Sequence, residues 1–228
     1  MPQTRIVIIA CRVLQGIIES RLEREVRDAV FLDYGLHRNP RLMAQSIQQR
    51  VDAIEEPSII LIGYGLCGNG LVGLKSRQHT LVIPRTDDCI ALLLGSYEAY
   101  RAELDATPGT YFLTRGWIES GSEPLSEYDE NAAKYGTEKA AWIMDAQYHN
   151  YRRLCLVAYS EEDLAASRPR ALRVAEFCRA RWGWRYEERL GSDALIRRLL
   201  NPGDLQSCED LVVVLPGGEV RQSDFLRE

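Results

Sequence analysis

Short apolar runs alternate with amphipathic segments along the first hundred residues. Two of these runs, residues 5–10 (RIVIIA) and 58–62 (SIILI), are unbroken and rich in β-branched residues. Runs of this kind are typical of strands buried on both faces of a parallel sheet. Residues 30–32 and 81–84 are shorter runs of the same character. The pattern therefore predicts four parallel strands in one sheet.

Helical spacing fills the intervals between these runs. Apolar side chains recur every three or four positions over residues 13–29, 40–54 and 90–104, which predicts three helices. Asn39 is the expected N-cap of the second helix, because it precedes a proline at the first helical position. Strands that alternate with helices in this way favour an α/β fold with helices on both faces of the sheet.

The last third of the chain repeats the alternation. Strands are expected over residues 154–158, 185–189 and 210–215, with helices over 161–181 and 193–200 between them. These strands are expected to form a second sheet or to extend the first. Pro169 lies inside the first of these helices and is expected to interrupt it.

The centre of the chain has a different character. It holds a Thr107-Pro108-Gly109 turn, a strand-like TYFLT segment and a polar helix over residues 130–148. We therefore expect an N-terminal lobe (1–104), a connecting or capping segment (105–150) and a C-terminal lobe (151–228). The fold class predicted is α/β, with two Rossmann-like lobes, mainly parallel sheets and a cleft at the carboxyl ends of the strands.

Composition and net charge argue against two kinds of binding partner, nucleic acids and anionic membranes. The chain is 46% hydrophobic and 27% charged, and its 28 basic against 33 acidic residues give a net charge of −5. An acidic chain argues against a nucleic acid or an anionic membrane held by a broad basic face. No apolar run approaches the roughly 18 residues of a membrane span, and the start lacks the features of a signal peptide. A cytoplasmic location is therefore expected.

Three of the six cysteines share one position in the predicted fold. Cys11 follows the first strand, Cys67 follows the third within GYGLCGNG, and Cys89 follows the fourth within PRTDDC. Ligands of open α/β sheets collect at the carboxyl ends of the strands, so we expect these thiols to lie together. Helix N-termini favour the thiolate, and a metal would relieve the repulsion between several thiolates. A shared metal site is the leading hypothesis, and one reactive thiol or inert packing are the alternatives.

Polar residues near the same edge are candidate catalytic groups. His37 follows the second strand and is expected to be a fourth ligand, a proton donor or a hydrogen-bonded loop residue. Arg85 and Asp87 stand just beyond the fourth strand, where an anion-binding arginine and an acid/base carboxylate would be useful. Their alternative is a turn followed by a helix cap, and a cap is the role we expect for Asp88.

The remaining cysteines and histidines are expected away from this edge. Cys155 and Cys178 fall inside a strand and a helix and are predicted to be small core residues, whereas Cys208 lies in a polar loop. His79 and His149 are expected on the surface.

The glycine-rich turn after the third strand has two interpretations. Residues 63–68 match GxGxxG, and Asp87 lies 19 residues further on, which is the pattern of a dinucleotide-binding oxidoreductase. Against this, the interval before the fourth strand is short for the helix that such a unit carries. The preferred interpretation is a backbone packed closely around a compact cofactor, with four residues as the cofactor-binding candidates: Gly65, Gly68, Asn69 and Gly70.

At these residues the sequence resembles domain-of-unknown-function family 1638. The segments that carry the resemblance are DYGLHRNP, LIGYGLCGNGLVGL, VIPRTDDCIALLLGS, PGTYFLTRGWIES and KYGTEKAAW, and together they extend over almost the whole chain. The resemblance implies an uncharacterised α/β metal-binding protein with an association with corrinoid-dependent methyl transfer. Relatives usually carry histidine before the Asp-Cys pair, where this chain has Asp87. If that histidine binds metal or transfers protons in the relatives, its role in this chain passes to the carboxylate of Asp87 or is lost.

These observations predict a metal-dependent enzyme, a transferase or a lyase, with three thiolate ligands and one open coordination position. Zinc and a [4Fe–4S] cluster both suit such a site, and the all-sulfur ligand set favours the cluster. If His37 closed the site, a structural zinc without catalysis would result. The expected substrate is a small anionic or thiol-bearing molecule of one-carbon, methyl-transfer or sulfur metabolism.

Two other classes of function stay open. One is a non-enzymatic metal or corrinoid accessory protein that docks on a methyltransferase. The other is the dinucleotide-binding oxidoreductase.

Overall fold

The computed structural model describes residues 5–22, 28–203 and 208–227, and describes His37 and Arg38 by their backbone alone. Within these ranges the strands are β1 (Arg5–Cys11), β2 (Asp28–Leu32), β3 (Ser58–Gly63), β4 (Thr80–Pro84), β5 (Thr110–Leu113), β6 (Arg153–Ala158), β7 (Arg185–Leu190) and β8 (Leu211–Val214). The helices are α1 (Gln15–Arg21), α2 (Pro40–Asp52), α3 (Ile90–Leu94), α4 (Tyr97–Ala106), α5 (Arg115–Glu119), α6 (Pro124–Tyr135), α7 (Thr137–Tyr148), α8 (Glu161–Trp182) and α9 (Ala194–Leu200). The protein is therefore a mixed α/β protein.

The first sheet contains the four strands expected from the N-terminal apolar runs. Its order in the described part of the chain is β2-β1-β3-β4-β8, and the first four strands are mutually parallel. The prediction of one parallel sheet from these runs is thus confirmed. β1 and β3 lie too close together at Gly63 for a larger side chain, because a Cβ added at Gly63 would lie 2.5 Å from the Cβ of its register partner Ala10. Glycine lets β1 and β3 approach at the point where both strands end.

The second sheet has the order β5-β6-β7 among the described residues, and its strands are parallel. Its first strand is the TYFL segment of the central region, which pairs with β6 from Thr110↔Arg153 to Leu113↔Leu156. The central region therefore supplies a strand to a sheet, beyond the connecting or capping role expected for it.

The last strand takes the second of the two positions expected for the C-terminal strands, because it extends the first sheet. β8 does not join β6 and β7 but pairs antiparallel with β4, with Val82 opposite Val213. The second run of alternating strands and helices is consequently divided between two sheets. The chain forms two compact units, Met1–Ala99 with Ser192–Glu228 and Tyr100–Gly191, which differ from the expected division at residues 104 and 150.

Glycine and proline explain where the helices depart from expectation. The single helix expected over residues 90–104 is divided into α3 and α4, because Gly95 adopts a left-handed conformation with φ of +91°. Gly136 separates α6 from α7 in the same way, with φ of +84°. Pro169, in contrast, does not interrupt α8. The expected N-cap Asn39 is confirmed, since its side chain accepts a hydrogen bond from the Leu42 N–H at 3.2 Å.

None of the helices in the described ranges is both long enough and apolar enough to cross a membrane.

Candidate functional site

The three singled-out cysteines follow three adjacent strands of the first sheet. Cys11 is the last residue of β1, while Cys67 and Cys89 lie in the loops that follow β3 and β4. They are near enough to interact electrostatically, because the charge of Cys11 contributes to raising the pKa of Cys67 and of Cys89. Parallel strands thus bring the thiols to the same edge of the sheet, as the sequence predicted for their placement.

Backbone contacts join the loop of Cys67 to the loop of Cys89. The Leu66 N–H donates to the Thr86 carbonyl at 2.9 Å, and the Cys67 N–H donates to the Asp87 carbonyl at 2.8 Å. Gly65 makes this approach possible, because a Cβ at that position would lie 2.5 Å from the carbonyl carbon of Asp88. The two loops therefore hold each other at a fixed separation.

The loop of Cys67 contains left-handed backbone at positions that are not glycine. Cys67 has φ of +47° and Asn69 has φ of +67°. Asparagine tolerates this region, but for a residue such as cysteine it costs about 1–2 kcal/mol. Strain of this kind is concentrated at functional sites, so it marks Cys67 as a residue whose position matters.

The four cofactor-binding candidates of this loop occupy two kinds of position. Gly68 and Asn69 are exposed. Gly65 and Gly70 are buried, Gly65 against the backbone of Asp88 and Gly70 against the side chain of Met43. Gly65 and Gly70 thus serve the packing of the loop.

Burial keeps the thiols protonated. It raises the pKa of Cys11 to about 11 and that of Cys67 to about 12, and it raises the pKa of Cys89 well above its ordinary value. Negative charge adds to this effect, from Asp33 at Cys11 and from Asp88 at the other two. The expectation that helix N-termini would favour the thiolates is therefore wrong for the metal-free protein.

The helical elements at these positions are too small to overcome burial. Cys11 precedes a single 3-10 turn, Cys67 is the first residue of a turn within a segment that has no helix, and Cys89 is the N-cap of a helix of five residues. A helix this short offers few aligned peptide dipoles, whereas loss of water acts on the whole thiolate charge.

The thiols do not yet converge on one point. Among the residues that the structure describes, no group of three His, Cys, Asp or Glu side chains could hold a metal ion. Binding a metal would require the cysteine side chains to turn towards a common centre. Their chemistry suits a thiophilic cation, since three sulfurs lie beside the carboxylates of Asp33 and Asp88. The metal site stays a prediction.

The predicted catalytic residues have different environments. Arg85 is half-buried, and its Nε atom has no hydrogen-bond partner in the described part of the chain. Asp87 is exposed. Asp88 supports the start of α3, because its Oδ1 accepts a hydrogen bond from the Ile90 N–H at 2.8 Å. The side chain of His37 lies outside the described residues, so its role as ligand or proton donor stays a prediction.

Tyr64 is the residue near the thiols that the sequence analysis did not single out. Its side chain is 1% exposed, and its hydroxyl is close enough to the Cys11 thiol to lower the pKa of that thiol against the effect of burial. Burial raises its pKa, and the charges of Cys11, Cys67 and Cys89 raise it further. The signal was present in the sequence, because Tyr64 directly follows one strand and Cys11 ends its neighbour.

The other cysteines and histidines follow expectation with one exception. Cys155 and Cys178 are buried within the second unit, at 2% and 0% exposure. His149 is exposed, whereas His79 is buried at 1% exposure, and its predicted surface position is wrong. Burial is the largest effect on His79 and lowers its pKa.

The glycine-rich turn is not followed by the helix that a dinucleotide-binding motif requires. Residues 64–79, all of them described, contain no helix between β3 and β4. A GxGxxG motif binds pyrophosphate at the N-terminus of the helix that it opens, so this turn does not offer that site.

Fold and site together define an α/β protein with a cysteine-bearing edge on a mainly parallel sheet. The chain belongs to the family described as "Protein of unknown function (DUF1638)", whose model matches residues 31–200, or 170 of the 228 residues. This confirms the family that the sequence segments indicated. A comparison with curated proteins found no match, and neither did a comparison with solved structures.

Proposed function

We propose that the protein is a metal-dependent enzyme in which Cys11, Cys67 and Cys89 hold a metal centre that keeps one coordination position open for substrate. The observation that carries this proposal is the position of three cysteines at or just after the carboxyl ends of three adjacent parallel strands. The left-handed backbone at Cys67 and the hydrogen bonds that join its loop to the next one support the same assignment, because backbone strain of this kind is concentrated at functional sites.

The charges around the thiols favour a cation. Three thiolates with a zinc ion or with a [4Fe–4S]²⁺ core carry a net charge of −1, in place of −3 without a metal. The carboxylates of Asp33 and Asp88 disfavour thiolates alone and would be stabilised by the same cation. An all-sulfur ligand set suits both centres, and we favour the cluster. When bound, either centre supplies Lewis-acid activation of a substrate atom at the open position.

The remaining roles in the proposal fall to residues beyond β4. The guanidinium of Arg85, whose Nε is buried and unpartnered among the described residues, pairs with the negative charge of a small anionic or thiol-bearing substrate. Asp87, which is exposed, or His37 transfers a proton. Substrate enters at the carboxyl edge of a Rossmann-like lobe, in a transferase or lyase reaction of one-carbon or sulfur metabolism. A methyltransferase partner rests on the family resemblance alone.

The test is anaerobic purification followed by elemental analysis and visible absorption. The wild-type protein is expected to contain iron and sulfide with a cluster absorption, or zinc near one equivalent. Cys67→Ala should lose the metal, because two thiolates hold it much less tightly. Cys208→Ala is the matched control, since Cys208 lies in the C-terminal loop before β8 and should keep full metal. Full metal in Cys67→Ala would exclude Cys67 as a ligand and overturn the proposal.

Arg85→Lys separates a role in substrate binding from a structural one. The substitution keeps the charge but loses the planar fork, so metal content should stay at the wild-type value. Loss of metal in this variant would mean that Arg85 supports the site itself.

A further inference from the structure

The strand β7 (Arg185–Leu190) forms an uncovered edge of the second sheet. In the described part of the chain it pairs with β6 alone and in continuous register, and five of its six residues are exposed. At the opposite edge of this sheet, β5 has three of its four residues buried. An exposed edge strand is a template for pairing with another chain, unless proline, a bulge or repelling charges protect it. The arrangement of the charges on β7 therefore decides what this edge can bind.

The free backbone groups of this edge belong to three residues. The N–H groups of Arg185 and Gly191 point towards β6, because they donate to backbone carbonyls in that strand or next to it at 3.0 and 2.8 Å. Backbone groups alternate in direction along a strand, so those of Tyr186, Glu188 and Leu190 point away from β6. No described residue pairs with them through its backbone. These three residues can therefore form the hydrogen bonds of one further strand.

The charged side chains of β7 lie on both faces of the sheet. On one face Glu187 pairs with Arg153 at 2.5 Å, and Arg189 pairs with a buried glutamate of α4. The side chains of Glu187 and Arg189 nevertheless stay 46% and 45% exposed. On the other face the carboxylate of Glu188 is neutralised by Arg168, whose Nε lies 2.7 Å away. The edge thus presents a negative and a positive charge, two positions apart, on the same face.

We propose that β7 is a dimer interface, in which it pairs antiparallel with β7 of a second copy of this chain about a two-fold axis at Glu188. In this register Glu188 faces itself and Tyr186 faces Leu190, and both are hydrogen-bonded pairs. Glu187 then faces Arg189 of the second copy in the pairs where side chains come closest. The two-fold axis repeats each contact. Pairing therefore satisfies the outward backbone groups, covers Leu190, which is 50% exposed, and joins opposite charges.

The other registers lack this complementarity. An axis between two residues would set an outward residue against one that faces β6, so the hydrogen bonds between the strands could not form. An axis at Glu187 would bring Glu187 against itself and Arg185 against Arg189, and like charges directly opposite are destabilising. An axis at Tyr186 would pair only residues 185–187 of the strand and leave Leu190 uncovered. A parallel pair in register would set every charge against itself.

The first experiment removes one backbone donor from the interface. Sedimentation equilibrium of the full-length wild type should show a monomer that dimerises as its concentration rises. Leu190→Pro deletes an N–H that makes no backbone hydrogen bond among the described residues, so the change is tolerated at an edge. Leu190→Ala is the matched control, because it shortens the same side chain and keeps the N–H. The two-fold axis doubles the loss, so the dimer dissociation constant of Leu190→Pro should exceed that of Leu190→Ala by about 10–100-fold. A wild type that stays monomeric, or equal constants for the two variants, would overturn the proposal.

The second experiment tests the register by disulfide formation. In Glu188→Cys the new thiols are directly opposite each other, with a Cα–Cα distance of about 5.5 Å. That distance lies within the range of about 4.4–6.8 Å that disulfides span. Mild oxidation should therefore give a covalent dimer of this variant. Glu187→Cys should stay at the background that the wild type gives from its own cysteines, because position 187 faces position 189. Cross-linking of Glu187→Cys alone would overturn the register, and cross-linking of neither variant would overturn the interface.

Discussion

Replacing Gly65 by alanine tests whether the two site loops are held by direct backbone contact. The added Cβ would lie 2.5 Å from the carbonyl carbon of Asp88, 2.6 Å from its oxygen and 2.7 Å from its Cα. Carbon atoms pack at about 3.5–4.0 Å, so the loops must separate by about 1 Å. Backbone atoms stand on both sides of the contact, and no flexible side chain can give way.

The cost follows from the hydrogen bonds that this separation breaks. A shift of about 1 Å extends the bonds from Leu66 N–H to Thr86 and from Cys67 N–H to Asp87 beyond hydrogen-bond range, from 2.9 and 2.8 Å. Each is worth about 0.5–1.5 kcal/mol net, so Gly65→Ala should lower the free energy of unfolding by about 1–3 kcal/mol. Metal binding should weaken as well, because Cys67 moves away from Cys89 although no thiol is changed.

Urea unfolding of the metal-free protein measures the first effect, and Co²⁺ titration measures the second. Gly16→Ala is the control, because a Cβ at that exposed position in α1 meets nothing within 4 Å. Alanine there should stabilise the protein by about 0.4–1 kcal/mol. A loss below about 0.5 kcal/mol in Gly65→Ala, with unchanged Co²⁺ affinity, would refute the idea that backbone contact fixes the two thiols.

Two further substitutions test packing away from the thiols. Burial raises the pKa of Glu103, but hydrogen bonds and charge from Arg153 and Arg189 outweigh burial and lower it. These interactions therefore add stability above about pH 4.3, the ordinary pKa of glutamate, and that stability is lost as pH falls through the lowered pKa. Glu103→Gln should therefore cost about 3 kcal/mol at pH 7 and little below pH 3, as measured by urea unfolding, and an equal loss at both pH values would contradict this. Gly95→Ala should cost more than Gly121→Ala, because both have positive φ but only the former would also place a Cβ against Ser192. Equal melting temperatures of the two alanine variants would show that this close approach to Ser192 is unimportant.

The parallel sheet could be predicted because each of its strands has a recognisable local sequence pattern. Unbroken β-branched runs at residues 5–10 and 58–62 are typical of strands buried on both faces, and the crossovers between them fix their direction. The partner of β8 could not be predicted in this way. Its run is as apolar as the others, and nothing in a strand of four residues, three of them buried, specifies β4 over β7 as its partner.

The positions of the three cysteines after adjacent strands could be predicted, but the electrostatics around them could not. Placement follows from the parallel direction of the strands, which the alternation of strands and helices predicts. The protonation of a thiol depends on how far folding removes it from water. The sequence pattern reveals neither the burial of Cys89 nor its proximity to the negative charges of Cys67 and Asp88. The same limit explains His79, whose polar neighbours in the sequence suggested a surface that tertiary packing then covered.

The pairing of β4 with β8 has a consequence for biosynthesis. Val82 and Val213 are opposite each other in the sheet although they are 131 positions apart in the sequence, and the whole of the second unit is synthesised between them. While the ribosome is still translating that interval, β4 presents an uncovered apolar edge, which can pair with another nascent chain. Completion of the N-terminal sheet must therefore wait until β8 (Leu211–Val214) has emerged. Until then, rapid folding of the second unit or binding of a chaperone is needed to prevent aggregation through the uncovered edge of β4.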